Sequence, residues 1–313
     1  MGKLRVLAAG ELNPDLILSQ VQGLPEFGQE RVAGVFEMHL GSSTAIFAAQ
    51  LSRLGAEVSL VARIGGDTLG EFCRERLQEI GVDTSLLIED RESGTGVTVS
   101  LSYPQDRMLI TYLGCISRLQ ESDVTDEMLD GYDHMHISSY YLQTSLQRGI
   151  TRLLQRAKER GLTISLDTGD DPAGKFEANI LEVLPLVDYF LPNERELIAI
   201  TKTSDYRRGL ESLKDRVPTI AVKLGSKGAA LQQGDEFIYV PGFTIEVADT
   251  TGAGDSFDAG FIFARLNGLS LREALVWGNA CGALCAANIG GASGFDSAEA
   301  VREFIAKEAG KCT

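Results

Sequence analysis

Cysteine, histidine, tryptophan and positive charge are all scarce in this 313-residue chain. Its five cysteines, Cys73, Cys115, Cys281, Cys285 and Cys312, are odd in number and form no C-x-x-C pair, which argues against a disulfide framework and a cysteine zinc site. Reduced thiols in a cytosolic protein are the expectation. Twenty-nine basic residues against 44 acidic ones give a formal charge of −15, unsuited to a nucleic acid or an anionic membrane surface. Any site for an anionic ligand must therefore concentrate positive potential locally. No apolar run reaches the length of a membrane span, and the N-terminus passes from Lys3 and Arg5 straight into the strand-like Val6 to Ala9 without a leader-like segment. No Gly-x-x-x-x-Gly-Lys-Ser/Thr motif occurs, so a lysine is not the obvious phosphate clamp and a helix N-terminus has to serve. The Gly-x-Gly-x-x-Gly that a dinucleotide-dependent dehydrogenase needs after its first strand is missing as well. Internal repeats, low-complexity tracts and flexible linkers are lacking, which points to one main domain.

What is present is 44% hydrophobic residues, ample for a large core, in a βα rhythm. Leu4 to Gly10 reads as a buried strand, and residues 11–40, with Asn13, Pro14, Pro25 and several glycines, as a small sheet excursion. Residues 41–55 read as a helix of small residues closed by Gly55, Val58 to Ala62 as a strand, and the segment after Gly70 as an amphipathic helix stopped by Gly81. Val97 to Leu101 and Met108 to Tyr112 alternate like a hairpin, which together with residues 11–40 forms a water-excluding lid. Strands at 134–137, 163–166, 187–191 and 220–223 then alternate with helices at 146–160 and 179–186, which implies a parallel sheet with helices on both faces. His134 and His136 share one side of their strand, but no third metal ligand is in view and packing accounts for them. The last helices are expected at 271–288 and 296–307.

The chemistry concentrates in residues 248–261. Phe243, Ile245 and Val247 alternate like a strand, Phe257, Phe261, Ile262 and Leu266 recur at helical spacing, and Gly252-Ala253-Gly254 falls at the helix start between them. Such a turn exposes unpaired N–H groups, and the helix dipole adds about half a positive charge, so the position suits an anion. Asp255 in the first turn is either a helix-capping carboxylate or a base placed to take a proton from an attacking hydroxyl.

Asp249-Thr-Thr-Gly-Ala-Gly-Asp255-Ser-Phe-Asp-Ala-Gly-Phe261 resembles the C-terminal signature of the ribokinase-like (PfkB) family of carbohydrate kinases. The resemblance implies a three-layer α/β core with a parallel sheet, formed by residues 1–10, 41–92 and 115–313, and a small β-sheet lid from residues 11–40 and 93–114. It implies an anion hole of Gly252, Ala253 and Gly254 amides with Asp255 as catalytic base. Asp15, with Asn13, matches the segment that binds sugar hydroxyls, and Gly41-Ser42 begins the N-terminal signature. There Ser42 replaces a glycine and Ile46 an asparagine that contacts substrate, as a plain buried helix would also require. Asn193 and Glu196, in Asn-x-x-Glu, are expected to position Mg²⁺ through ordered water and also to cap their helix. Lys223, Gly225, Ser226 and Gly228 are expected beside ATP, Thr251 beside its phosphates and Asn279 near the adenine. Asp249 and Thr251 are the expected K⁺ neighbours. The implied activity is ATP-dependent phosphorylation of a small carbohydrate by a homodimer paired through the lid. A nucleoside kinase of the same family and a non-catalytic sugar or nucleotide sensor are the alternatives.

Overall fold

Along the strand Arg5–Ala9, Val6 and Ala8 pack into one apolar cluster and Leu7 and Ala9 into another, so a single strand feeds both faces of a sheet. The computed structural model of the chain describes residues 4–103 and 107–310. Among these residues, eight strands form one sheet in the spatial order Glu236–Val240, Ala229–Gln233, Thr219–Lys223, Tyr189–Phe190, Thr163–Leu166, His134–Ile137, Arg5–Ala9 and Glu57–Val61. From Thr219–Lys223 to Glu57–Val61 the strands are parallel, and the hairpin of Ala229–Gln233 with Glu236–Val240 closes one edge antiparallel. Helices Ser43–Arg53, Thr68–Ile80, Ala253–Leu266, Leu271–Ala286 and Ala298–Gly310 cover the face fed by Val6 and Ala8. Ile150–Glu159, Glu194–Thr201 and Tyr206–Leu213 cover the other, which makes three layers.

A second sheet of four strands runs in the order Val35–Leu40, Pro14–Ser19, Val97–Ser102 and Arg107–Tyr112. Asp15 sits on an inner strand of it, paired with His39 on one side and Thr98 on the other. Pro104, Gln105 and Asp106 of the hairpin connection, together with Lys3 and Cys312, lie outside the described residues.

Several elements depart from the sequence expectation for local reasons. Residues 243–247 form no strand, because the chain turns back at Gly242, whose N–H donates to the Lys227 carbonyl, and Val247 is left 59% exposed. The helix expected over 146–160 is two helices, Thr144–Gln147 and Ile150–Glu159, divided at Gly149, where a side chain would collide with Glu121. The helix expected over 179–186 is one α-helical turn, Ile180–Val183, followed by the 3₁₀ turn Leu184–Leu186, since Pro185 has no N–H to continue the ladder. The strand expected over 187–191 shortens to Tyr189–Phe190. Arg63–Gly65 and Ile88–Asp90 add a short parallel pair that periodicity gave no hint of.

His134 and His136 are buried in a hydroxyl network rather than a metal site. His134 bonds to Thr163 and Ser165, and His136 to the same Ser165 and to Ser138. Burial pushes both imidazoles down from their ordinary range, so they are neutral. Cys73, Cys115, Cys281 and Cys285 are buried free thiols. Among the described residues, no helix is long and apolar enough to cross a membrane.

Candidate active site

The polar residues of the chain's parallel strands gather at one edge, just past the strand ends. Glu11 and Asn13 follow Arg5–Ala9, Asp167 follows Thr163–Leu166, Asn193 follows Tyr189–Phe190, and Lys223 ends Thr219–Lys223. This carboxyl edge is where open α/β sheets bind ligands.

Gly252 is the N-cap of helix Ala253–Leu266, with φ 71°, a left-handed conformation that favours glycine. A side-chain carbon there would come within 2.5 Å of the Gly291 Cα, so the turn also needs glycine for space. The first-turn N–H groups of Gly254 and Asp255 have no partner within the helix, as at any helix start, while the Ala253 N–H donates to the Thr250 carbonyl at 3.3 Å. Asp255 lies in this first turn at 9% exposure. Burial and then the neighbouring Asp167 charge push its carboxyl up to about 7, within reach of a proton exchanged near neutrality.

At the small-sheet end, Asn13 Nδ2 donates to the Pro14 carbonyl at 3.1 Å and to Asp15 Oδ1 and Thr98 Oγ1 at 3.4 Å. Gly41 leaves the room Asp15 occupies, since a side-chain carbon on it would meet Asp15 Oδ1 at 2.1 Å. Desolvation pushes the Asp15 carboxyl up to about 7, against the pull of Arg107. Ser42, at φ 71°, is the N-cap of Ser43–Arg53; its hydroxyl donates to the Glu11 carbonyl and accepts from Ala45 N. That hydroxyl is engaged in holding the helix start. Ile46 is buried, its Cδ1 against Gly291.

Asn193 and Glu196 form a reciprocal capping box: Glu196 N donates to Asn193 Oδ1 and Asn193 N to Glu196 Oε2, both at 2.9 Å. Burial raises the Glu196 carboxyl to about 7, so a cation nearby would restore its charge. Asn193, Lys223, Leu224 and Gly225 border a cleft of about 640 Å³. Gly225 and Ser226 lie in an exposed 3₁₀ turn, and Gly228, at φ 101°, is packed against Val240 and Gly242. Asn279 fixes the same corner, its Nδ2 donating to the carbonyls of Val240 at 3.3 Å and Pro241 at 3.1 Å. Thr251 donates from N and Oγ1 to Asp249 Oδ1, at 2.9 and 2.7 Å, and accepts from Arg107, which itself lies 3.7 Å from Asp249.

Around Lys223, which the sequence already placed here, the fold gathers residues that sequence reasoning missed: Asp167, Asp258 and Glu11. Lys223 Nζ lies 2.8 Å from Asp167 Oδ2 and 3.0 Å from Asp258 Oδ2. Carboxylate oxygens of Asp167, Asp255 and Asp258 all lie within 4.8 Å of one another. Glu11, 2% exposed, accepts from Thr44 N, the Thr44 hydroxyl and the Ser139 hydroxyl. For Asp258 the only sequence signal was its place one turn after Asp255; for Asp167 and Glu11 there was none.

With this geometry in hand, the family model of pfkB family carbohydrate kinases matches residues 3–298. The chain belongs to that family. It is 30% identical over 305 residues to the ATP-dependent ribose-1-phosphate kinase of Halopiger xanaduensis, covering 97% of this chain and 99% of that one. A candidate ribokinase II from E. coli, solved with ATP and Mg²⁺, superposes with a TM-score of 0.88 at 26% identity, covering 97% of this chain and 99% of the other. Ribokinase from Arabidopsis thaliana, solved with ribose and ATP, gives 0.85 at 25% identity, with 97% and 99% covered. As a pfkB kinase, the protein is a phosphotransferase with an alcohol group as acceptor.

Proposed function

We propose that the protein transfers the γ-phosphoryl group of ATP to a hydroxyl of a small carbohydrate, with Asp255 as base and the Gly252–Gly254 turn as anion hole. The observation that carries this reading is a buried carboxylate, with its pKa pushed to about 7, in the first turn of a helix that starts at a left-handed glycine. The substrate O–H bond breaks and its proton goes to a carboxylate oxygen of Asp255. The freed oxygen forms the new O–P bond as the bond from the γ-phosphorus to the β,γ-bridging oxygen breaks, and ADP leaves with that electron pair. Backbone N–H groups aimed at the transferred group stabilise its developing charge without reorganising.

Mg²⁺ fits the Asn193–Glu196 side of the cleft better than the Asp167, Asp255 and Asp258 cluster, where the Lys223 ammonium already sits. Held there through water, the ion would supply positive charge to offset that of the phosphates. Asn193 and Glu196 would orient its hydration shell, and Gly225, Ser226, Gly228 and Asn279 would border the nucleotide. Asp249 and Thr251 suit a monovalent cation only where Arg107 withdraws, because the guanidinium already faces that carboxylate. Equal rates in K⁺ and in tetramethylammonium would count against a K⁺ role.

Residues 11–40 and 93–114 act in this reading as a lid that carries Asn13 and Asp15 to the sugar and excludes water. Phe36, Ile110 and Tyr112 of its strands, 62, 65 and 59% exposed, support pairing of two lids in a homodimer. The reading is tested by ATP consumption against a panel of sugars, sugar acids, sugar phosphates and nucleosides. Turnover of a sugar supports it, preference for a nucleoside moves the protein to the nucleoside kinases, and ATP or sugar binding without turnover makes it a sensor.

A further inference from the structure

The Lys223 ammonium is enclosed where no phosphate loop or solvent explains it. Its side chain is 11% exposed, and its two carboxylate partners come from different layers, Asp167 just past a sheet strand and Asp258 on the helix that bears Asp255. Asp255 and Asp258 are three residues apart on that helix and so share a face. The Lys223 chain also runs beneath the anion-hole turn, with Nζ 3.6 Å from where a side-chain carbon of Gly254 would stand.

We propose that Lys223 is a positioning residue for phosphoryl transfer, tying the first turns of helix Ala253–Leu266 to the sheet and supplying the counter-charge that lets Asp255 ionise beside Asp167 and Asp258. The inference rests on Asp255 being the base. The groups facing this cluster are Asp167, Asp258 and Asp255, Glu196 from its helix, Glu11 from the loop after the first strand, and the neutral His136. All of them but Lys223 are acidic or uncharged, so Lys223 is the cation of the set. Asp167 is held below the usual carboxylate range with Lys223 as the main favourable charge, whereas burial drives Asp258 well above it. Asp167 stays ionised against Lys223 while Asp258 holds its proton more readily, and Asp255 and Glu196, both pushed to about 7, are the groups of the set that titrate near neutrality, Asp255 being the one in the first turn of the helix.

The test is the pH profile of kcat/KM for the best sugar, with Asp255→Asn as control. Replacing Lys223 by Met should move the acid limb up by roughly one to three pH units, the usual effect of losing a nearby opposite charge, while Lys223→Arg, which keeps the charge, should move the limb less than Lys223→Met whatever it does to kcat. Lys223→Met combined with Asp167→Asn should bring the limb back, a rescue that a purely structural lysine would not show. A folded Lys223→Met variant that loses kcat with its acid limb unmoved would overturn the proposal and make Lys223 a phosphate contact or a packing residue. Should Lys223→Met not fold, Asp167→Asn alone decides: removing a negative neighbour must lower the limb, and an unmoved limb overturns the proposal. Near-normal turnover by Asp255→Asn would instead bring down the assignment of the base.

Discussion

At the scale of single residues, two carboxylates with similar environments are given different work. Asp255 and Asp15 are both pushed to about 7, Asp255 in the first turn after Gly252 and Asp15 on the small sheet against Gly41. A base whose folded pKa is raised is active above that value and protonated below it, so kcat/KM should fall as pH drops through about 7. A profile flat from pH 8 to pH 5 would remove Asp255 from proton transfer. In the proposed reading Asp15 moves no proton and binds the sugar hydroxyls. An unpaired buried acceptor costs about 1–3 kcal/mol, so Asp15→Ala should raise KM for the sugar roughly 5- to 150-fold with a smaller change in kcat. An unchanged KM would place the sugar on other residues. Asp255 and Asp15 were legible because each lies within a contiguous motif. Asp167 and Glu11 acquire their places from partners far along the chain, Lys223 and Ser139, and no local pattern marks such pairs; Lys223 itself was expected at the site, but not its carboxylate partners.

At the scale of elements, the turn into helix Ala253–Leu266 ties backbone conformation to chemistry. Gly252→Ala places a methyl against Gly291 at a φ of 71°, costing about 1–2 kcal/mol in conformation before the clash is relieved. We expect a lowered melting temperature together with a kcat reduced at least tenfold, because the amides no longer converge. A variant with wild-type kcat would show that the turn need not be so tight. This helix, the Asn193 cap and the strand Arg5–Ala9 could be read from sequence, since glycine, capping residues and apolar runs act locally. Residues 243–247 could not. Their alternation is that of a strand, but pairing needs a neighbour, and the chain turns away at Gly242 after the edge strand Glu236–Val240. The division at Gly149 was equally hidden, and so was the close approach of the distant Glu121 that leaves no room for a side chain there.

At the scale of the whole molecule, the small sheet presents apolar side chains to solvent on a chain otherwise rich in acidic surface. Met108, Leu109, Ile110 and Tyr112 on one edge strand are 47, 54, 65 and 59% exposed, and an open apolar edge is a surface that a second copy would cover. We expect sedimentation at micromolar concentration to give a dimer, and Ile110→Asp to shift it toward monomer. A wild-type monomer under those conditions would contradict pairing through the lid. The three-layer core was legible from its βα rhythm, while the identity of the sugar was not, because that depends on the shape of a pocket assembled from both sheets.

The central claim is that Asp255 takes the proton as phosphate moves to a hydroxyl, and single-turnover transfer by wild type and Asp255→Asn tests it most directly when ATP affinity is measured on the same samples. The account predicts equal ATP binding and a transfer rate lower by about 10² to 10⁴ in the variant, the range for a lost general base. Transfer at a near wild-type rate with ATP bound would contradict it.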